Sequence, residues 1–284
     1  MAFHSPLRYP GGKGRLTAWM SEFLLHNDIS GGWYVEPYAG GAGMALNLLI
    51  GEYVNRILIN DIDPAIYAFW RATMDHCEAM VDRVMSVPLT VEERDRQLTI
   101  YRRGMTSGLV DLGFATLYLN RTSVSGSLTG GVIGGRKQQG RYKIDARFNR
   151  ETLARRLHAI AERPNRIGIY NMDALDFVRE IRRELPDHVL IYFDPPYFRK
   201  GAKLYRNVYG PEDHAKVAQT IRDLDCPWVL TYDDCEEVRW LYRWAKSTRF
   251  SLWYSATRRS ARQEGEVMFW SPALSLPSAP YSRR

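Results

Sequence analysis

Cysteine is scarce in this chain of 284 residues. Cys77, Cys226 and Cys235 are odd in number and far apart, which argues against a disulfide framework and leads to an expectation of reduced thiols in a cytoplasmic compartment. Histidine is thin too. The six histidines are scattered, no Cys or His spacing suits zinc, and no metal is expected. Long apolar runs are missing: none approaches the ~20 residues that a membrane-spanning helix needs. The opening stretch MAFHSPLRYP lacks the apolar core of a secretion signal. Neither a membrane partner nor export is therefore expected.

What is present is an ordinary globular composition, 45% hydrophobic and 25% charged, in a chain long enough to bury a substantial core. The formal net charge is +7, and it is segregated: residues 121–167 hold eleven Lys or Arg against three acidic residues, while residues 239–262 hold seven basic residues and no acidic one. Two such surfaces suit a polyanion, with nucleic acid the expected partner; a solvated basic face has the same composition.

Short apolar runs ending in polar or acidic residues recur at 33–37, 56–61, 166–173, 189–194 and 228–233. They predict buried strands covered on both faces. Helical patterns lie between several of them, at 65–74, 174–185 and 211–224, the last opening on Pro, Glu and Asp as a first helical turn should. Alternating strand and helix predicts an open, largely parallel α/β sheet that binds ligands at the carboxyl ends of its strands. The alternation stops between about 75 and 165, where two helical stretches flank a Gly-, Ser- and Arg-rich segment. This region reads as an inserted subdomain, 75–164, within a discontinuous domain made of 1–74 and 165–284. The tail is expected to fray.

After the first strand comes YAGGAGMALNLL, with Gly40, Gly41 and Gly43 at a strand-to-helix turn. Such glycines let a ligand approach the backbone closely, although they also serve tight packing. Leu46 stands where a dinucleotide fingerprint would have its third glycine, and no Gly-Lys-Ser/Thr follows. Asp61 ends the next strand, eighteen residues after Gly43, where a carboxylate can accept from both ribose hydroxyls or cap a helix. RYPGGKGRL places Lys13 on a second Gly-Gly turn, a candidate partner for a ligand carboxylate. A ribose partner, a carboxylate partner and no pyrophosphate fingerprint together suit S-adenosylmethionine.

The stretch VLIYFDPPYFRK carries the chemistry. Asp194 should emerge from a buried strand at the same sheet edge, and Pro195 and Pro196, with fixed φ and no amide hydrogen, stiffen the acceptors around it. An aromatic amine is a poor nucleophile because its lone pair is delocalised. Accepting its hydrogens on the Asp194 carboxylate and the Pro195 carbonyl would aim that lone pair at a methyl donor, with the ring held against Tyr197.

With these motifs in this order, the chain resembles the Dam-type, or D12 class, adenine-specific DNA methyltransferases of the alpha order. RYPGGKGRL resembles their N-terminal motif, YVEPYAGGAG their methyl-donor loop, INDIDP their ribose motif and DPPY their catalytic motif. The resemblance implies a Rossmann-like S-adenosylmethionine-dependent methyltransferase sheet with an inserted, mainly helical target-recognition subdomain. It implies N6 methylation of a flipped-out adenine in double-stranded DNA, S-adenosylhomocysteine as product, and a restriction enzyme or other defence component as partner.

The resemblance also implies a cofactor set of Tyr9, Lys13, Glu36, Pro37, Tyr38, the three glycines, Asp61, Ile62, Asp173, Ala174 and Asp194. LNRTSVSG resembles the family's Asn-Arg loop that enters DNA, which makes Asn120, Arg121, Ser123 and Ser125 candidates near the bases. Arg136, Lys137, Arg141 and Lys143 are candidates for phosphate. The family's GATC-reading members carry aromatics where this chain has Thr122, Ser123 and Val124, so the GATC target does not carry over. Rival readings are a methyltransferase acting on RNA or another amine, and a nucleic-acid-binding relative without catalysis.

Overall fold

The computed structural model describes residues 4–8, 12–199, 209–253 and 263–277. Seven strands form one sheet: β1 (Trp33–Glu36), β2 (Arg56–Asn60), β3 (Ile167–Tyr170), β4 (Val189–Phe193), β5 (Trp228–Asp233), β6 (Lys246–Trp253) and β7 (Gln263–Trp270). Their order is β3-β2-β1-β4-β5-β7-β6. The first five run parallel, while β7 lies antiparallel between β5 and β6. The chain leaves β1 toward β2 and β3, then returns to place β4 on the other side of β1. That reversal opens a crevice at the carboxyl ends of β1 and β4.

Each of the five expected strands is present, shorter by a residue or more in all but β5. The pair β6 and β7 was not among them. The polar residues of Lys246–Trp253 read as a basic surface stretch, yet they form a strand at the sheet edge, where lysine and arginine are tolerated because only one side is paired.

Alternation along the strands fills two cores. Tyr34, Ile57, Ile59, Leu190, Tyr192, Val229 and Met268 face one side. Val35, Leu58, Ile191, Phe193, Leu230 and Phe269 face the other. Each large apolar side chain so buried contributes roughly 1.5–3 kcal/mol against exposure. The second side is covered by α8 (Ala174–Ile181), α9 (Pro211–Arg222) and α10 (Glu236–Leu241). Helix α8 stops at Ile181, earlier than its pattern suggested, because the chain turns ahead of Pro186.

The first side carries α1 (Thr17–His26), α2 (Gly43–Ile50) and α3 (Pro64–Asp75), the last started by Asp63, whose carboxylate accepts from the Ala65 amide. Where alternation stops in the sequence, four helices follow: α4 (Cys77–Ser86), α5 (Val91–Arg103), α6 (Leu109–Thr122) and, after the glycine-rich segment, α7 (Arg150–Ala161). Helix α6 lies close on α3 because Gly113 has no Cβ; one there would stand 2.6 Å from the Ala68 carbonyl oxygen. Phe114, Leu117 and Tyr118 of α6 and Leu153 and Leu157 of α7 join the same core as the sheet. This packing fixes the direction in which the end of α6 points. Among the described residues no helix is long and apolar enough to cross a membrane.

Candidate active site

The parallel strands deliver acidic or amide side chains to one edge: Glu36 at the end of β1, Asn60 at the end of β2 and Asp61 just after it, Asp194 directly after β4, and Asp233 at the end of β5. Asn60 laces this edge together. Its amide donates to the carbonyls of Pro37 (3.0 Å) and Met172 (3.1 Å) and its oxygen accepts from the Met172 amide (2.9 Å). A cavity of about 480 Å³ opens here, and Lys13, Glu36, Gly41, Asp61, Ala174 and Asp194 all line it.

Asp194 is one of the residues on its wall. Its Oδ1 accepts from Lys13 (2.8 Å) and from the Thr231 hydroxyl (3.0 Å), and its Oδ2 accepts from Lys13 (3.0 Å). Burial pushes its carboxyl above the ordinary Asp range, with the Lys13 charge and these hydrogen bonds opposing that shift and Glu266 adding to it. Lys13, expected to meet a ligand carboxylate, is thus engaged inside the protein. It also donates to the Tyr197 hydroxyl (2.9 Å), which in turn donates to Glu266 Oε1 (2.7 Å) on β7. Tyr197 is buried at 3% exposure, and it is Pro196 that reaches the cavity wall. The loop beyond is tied down by Asp233, whose carboxylate accepts from the Phe198 and Arg199 amides at 2.9 and 3.0 Å.

The glycine-rich turn faces the same space. Pro37, Tyr38, Gly40, Gly43 and Ile62 complete this side of the cavity, and Ile62, 49% exposed, offers an apolar surface to it. Asp61 Oδ2 accepts from the Gly40 amide and Oδ1 from the Asp63 amide, both at 2.9 Å. Burial nevertheless lifts its carboxyl to about 6. Glu36 is lifted further, to about 8, by burial, while a bond from the Ala45 amide holds its Oε1 and pulls the other way. Asp173 stands apart: it caps α8, accepting from the Leu175 and Asp176 amides, and only its neighbour Ala174 lines the cavity. Tyr9 lies outside the described residues.

The stretch expected to be an Asn-Arg loop begins as helix: Asn120 and Arg121 lie in the last turn of α6, and both are buried. Asn120 is buried, its oxygen accepting from the Arg8 amide (2.7 Å) and its amide donating to the Arg8 carbonyl (2.8 Å) and the Gly126 carbonyl (2.9 Å). Ser123 is also buried, its hydroxyl accepting from Arg94. Ser125 takes a left-handed backbone at φ 58° and is half-buried. Arg121 is buried and lines the cavity. Of the expected phosphate contacts, Arg136 is held bidentate by Asp95 at 3.0 and 2.7 Å, Lys143 donates to the Gln138 carbonyl, Arg141 lies over Tyr142, and Lys137 is exposed. In the second basic stretch, Arg239 and Arg249 both meet Asp234; residues 254–262 lie outside the described residues.

Thr231, Asp233, Glu266 and Tyr209 were not singled out in the sequence. Tyr209 lines the cavity and packs edge-on to Tyr38, hydroxyl to hydroxyl at 3.3 Å. Only the WVLTYD pattern of β5 hinted at the first two; nothing marks Glu266, whose role depends on the antiparallel return of β7. Among the described residues one group could offer a metal three ligands, Cys77, Glu78 and His158, within 4.8 Å of one another. It joins α4 to α7, and none of the three lines the cavity.

A family model of the D12 class N6 adenine-specific DNA methyltransferases matches residues 9–260. Among solved structures, the rRNA methyltransferase AviRa from Streptomyces viridochromogenes is similar at 13% identity, over 93% of this chain and 86% of its own, with a TM-score of 0.40. No curated protein matches the chain in sequence.

Proposed function

Because the chain belongs to the D12 class N6 adenine-specific DNA methyltransferase family, whose activity is methylation of adenine in DNA, we propose that it moves a methyl group from S-adenosylmethionine directly to N6 of an adenine flipped out of a DNA duplex. The observation that carries this reading is the position of Asp194, stiffened between strand β4 and two prolines, in one cavity with Asp61, Glu36 and the glycine-rich turn.

The donor set fits the cofactor. Asp61 offers a carboxylate to ribose hydroxyls, Ile62 and Ala174 offer apolar surface to a purine, and the buried Glu36 suits a cationic group. When bound, the cofactor supplies an electrophilic methyl on a sulfonium. Everything else is the protein's part.

A carboxylate has about four lone-pair positions. At Asp194, Oδ1 already serves two donors and Oδ2 serves one, so Oδ2 keeps a place for a hydrogen of the adenine amine. The Pro195 carbonyl is the second acceptor. Together they favour a pyramidal nitrogen with its lone pair directed outward. Lys13 opposes the rise that burial and Glu266 impose on Asp194 and so favours the ionised, accepting form. A base in a duplex cannot reach this cavity, so it has to leave the stack at a cost of a few kcal/mol.

In this reading the insertion, 75–164, is the DNA-facing part, with its exposed glycine-rich segment turned to the duplex. The test is transfer of labelled methyl groups to duplex DNA, adenine-free duplex DNA and RNA by the wild type and by Asp194→Ala. Label in adenine-containing DNA that vanishes in the folded variant supports the reading. Label in RNA or in adenine-free DNA, or an active variant, overturns it.

A further inference from the structure

Among the described residues, many surface cations meet carboxylates: Arg71, Arg83, Arg136, Arg166 and Arg182 are examples. A second population behaves differently. Arg8, Arg121 and Arg156 line the wall of the cavity that holds Asp194, and among the described residues none has a carboxylate oxygen within 4.0 Å. Arg121, in the last turn of α6, is 8% exposed, and its Nε is buried without a hydrogen-bond partner. Arg8 Nη1 is buried and equally unmet. Arg156, on α7, donates through Nη1 to the Ser5 carbonyl at 2.9 Å.

These like charges face one another. Burial first, then Arg156, Arg8 and Arg147, pull Arg121 down to about 9, so that it stays a cation at neutral pH. Gathering guanidinium groups in a partly dry site costs free energy unless an anion arrives to share them. The arrangement is also rigid. Asn120 clasps the Arg8 backbone at both its amide and its carbonyl. The chain at Gly126, at φ 79°, passes so near that a Cβ there would lie 2.2 Å from the Arg8 carbonyl oxygen. Three separate segments, residues 4–8, α6 and α7, bring their guanidinium groups to one wall.

We propose that Arg8, Arg121 and Arg156 form a seat for the backbone phosphodiester beside the target nucleotide. Planar guanidinium forks match phosphate oxygens two at a time, and a phosphate held on the wall of the cavity that contains Asp194 would place its nucleoside within reach of that carboxylate. Arg121 then positions the strand instead of reading a base edge, and the tightest phosphate contact lies here, not at Arg136, whose charge Asp95 already offsets. This inference rests on the reading of the protein as a DNA methyltransferase. The other anion that could reach the seat is the carboxylate of the cofactor, and the test separates the two.

The experiment uses the full chain, with Arg156→Gln and Arg8→Gln as the less buried variants and Arg121→Gln as the most buried. Folding is checked by circular dichroism. Binding of a fluorescent duplex is measured across a salt series, and binding of S-adenosylhomocysteine by calorimetry. Each folded variant should lose about ten- to a hundredfold in duplex affinity, and its salt slope should flatten by up to about 0.9 for each phosphate contact removed. Affinity for S-adenosylhomocysteine should not change. A duplex bearing an uncharged methylphosphonate next to the methylated adenine should weaken wild-type binding and add nothing further in Arg156→Gln.

Unchanged duplex affinity and slope in folded Arg156→Gln and Arg8→Gln overturns the seat. Loss of S-adenosylhomocysteine affinity with full duplex binding overturns it too, in favour of the cofactor carboxylate. A wild type that methylates adenine in DNA while the variants bind duplex normally removes the seat alone. A wild type that leaves DNA adenine unmethylated removes the functional reading itself.

Discussion

The Lys13 ammonium reaches both carboxylate oxygens of Asp194, at 2.8 and 3.0 Å, across a sequence separation of 181 residues, with 2% and 17% of the two side chains exposed. This contact joins the short 3-10 helix Lys13–Leu16 near the start of the chain to Asp194 at the end of β4. It also inserts a cation between two acids, since Glu266 lies 3.7 Å from the same ammonium.

Lys13→Met should therefore do more than remove a surface charge. Breaking a buried pair costs about 3–5 kcal/mol, which thermal or urea denaturation will register. The Asp194 carboxyl, already raised by burial and held back chiefly by Lys13, should rise further. A higher pKa in the folded enzyme means that the accepting form appears only at higher pH, so the acid limb of the pH-rate profile should move upward. A limb that stays in place while the variant remains folded would show that Lys13 does not govern Asp194.

Glu36 predicts a pH dependence of cofactor binding. Its pKa in the folded protein, about 8, exceeds the ordinary 4.5, so between these values the folded state holds a proton that the unfolded state releases, and this group's contribution to stability falls as pH rises. A cationic ligand beside it favours the charged form. Affinity for S-adenosylmethionine should accordingly increase as pH rises toward 8, by up to about tenfold per unit, and level off above. Glu36→Gln should flatten that dependence in calorimetry from pH 6 to 9.

At Asp61 the relevant change is Asp61→Asn, which keeps the shape and removes the charge. Cofactor affinity should fall by roughly 1.5–3 kcal/mol. Because the carboxylate also holds the Gly40 amide, Asp61→Ala should loosen the glycine-rich turn and weaken binding more than Asn does. Equal affinities for wild type, Asn and Ala would remove Asp61 from the site.

Asn120→Ala removes three hydrogen bonds, two to Arg8 and one to Gly126. The buried backbone groups left unmet should cost roughly 1–3 kcal/mol each at most, read as a lower melting temperature. If Asn120 instead reads a base from an open loop, duplex binding will fall with the melting temperature unchanged.

Local pattern determined much of this protein. The apolar runs around Val35, Leu58 and Ile191 were legible as doubly covered strands because burial on both faces demands continuous hydrophobicity. Pro211 marked a helix start because proline suits a first turn. The place of Asp194 at the carboxyl end of its strand was legible because its prolines and its strand are neighbours in the chain. Tertiary structure alone decided who faces whom. Lys13 was read toward a ligand, yet it lies on Asp194, since only the sheet order brings residue 13 beside residue 194. Glu266 enters through a strand whose antiparallel place beside β5 no local period announces. Asn120 and Arg121 are adjacent in sequence and look alike as polar loop residues, but the packing of α6 on α3 turns one into a clasp for Arg8 and the other into a buried cation on the cavity wall. Periodicity reports which face of an element is apolar; the partner across the crevice depends on contacts more than a hundred residues apart, which no local window contains.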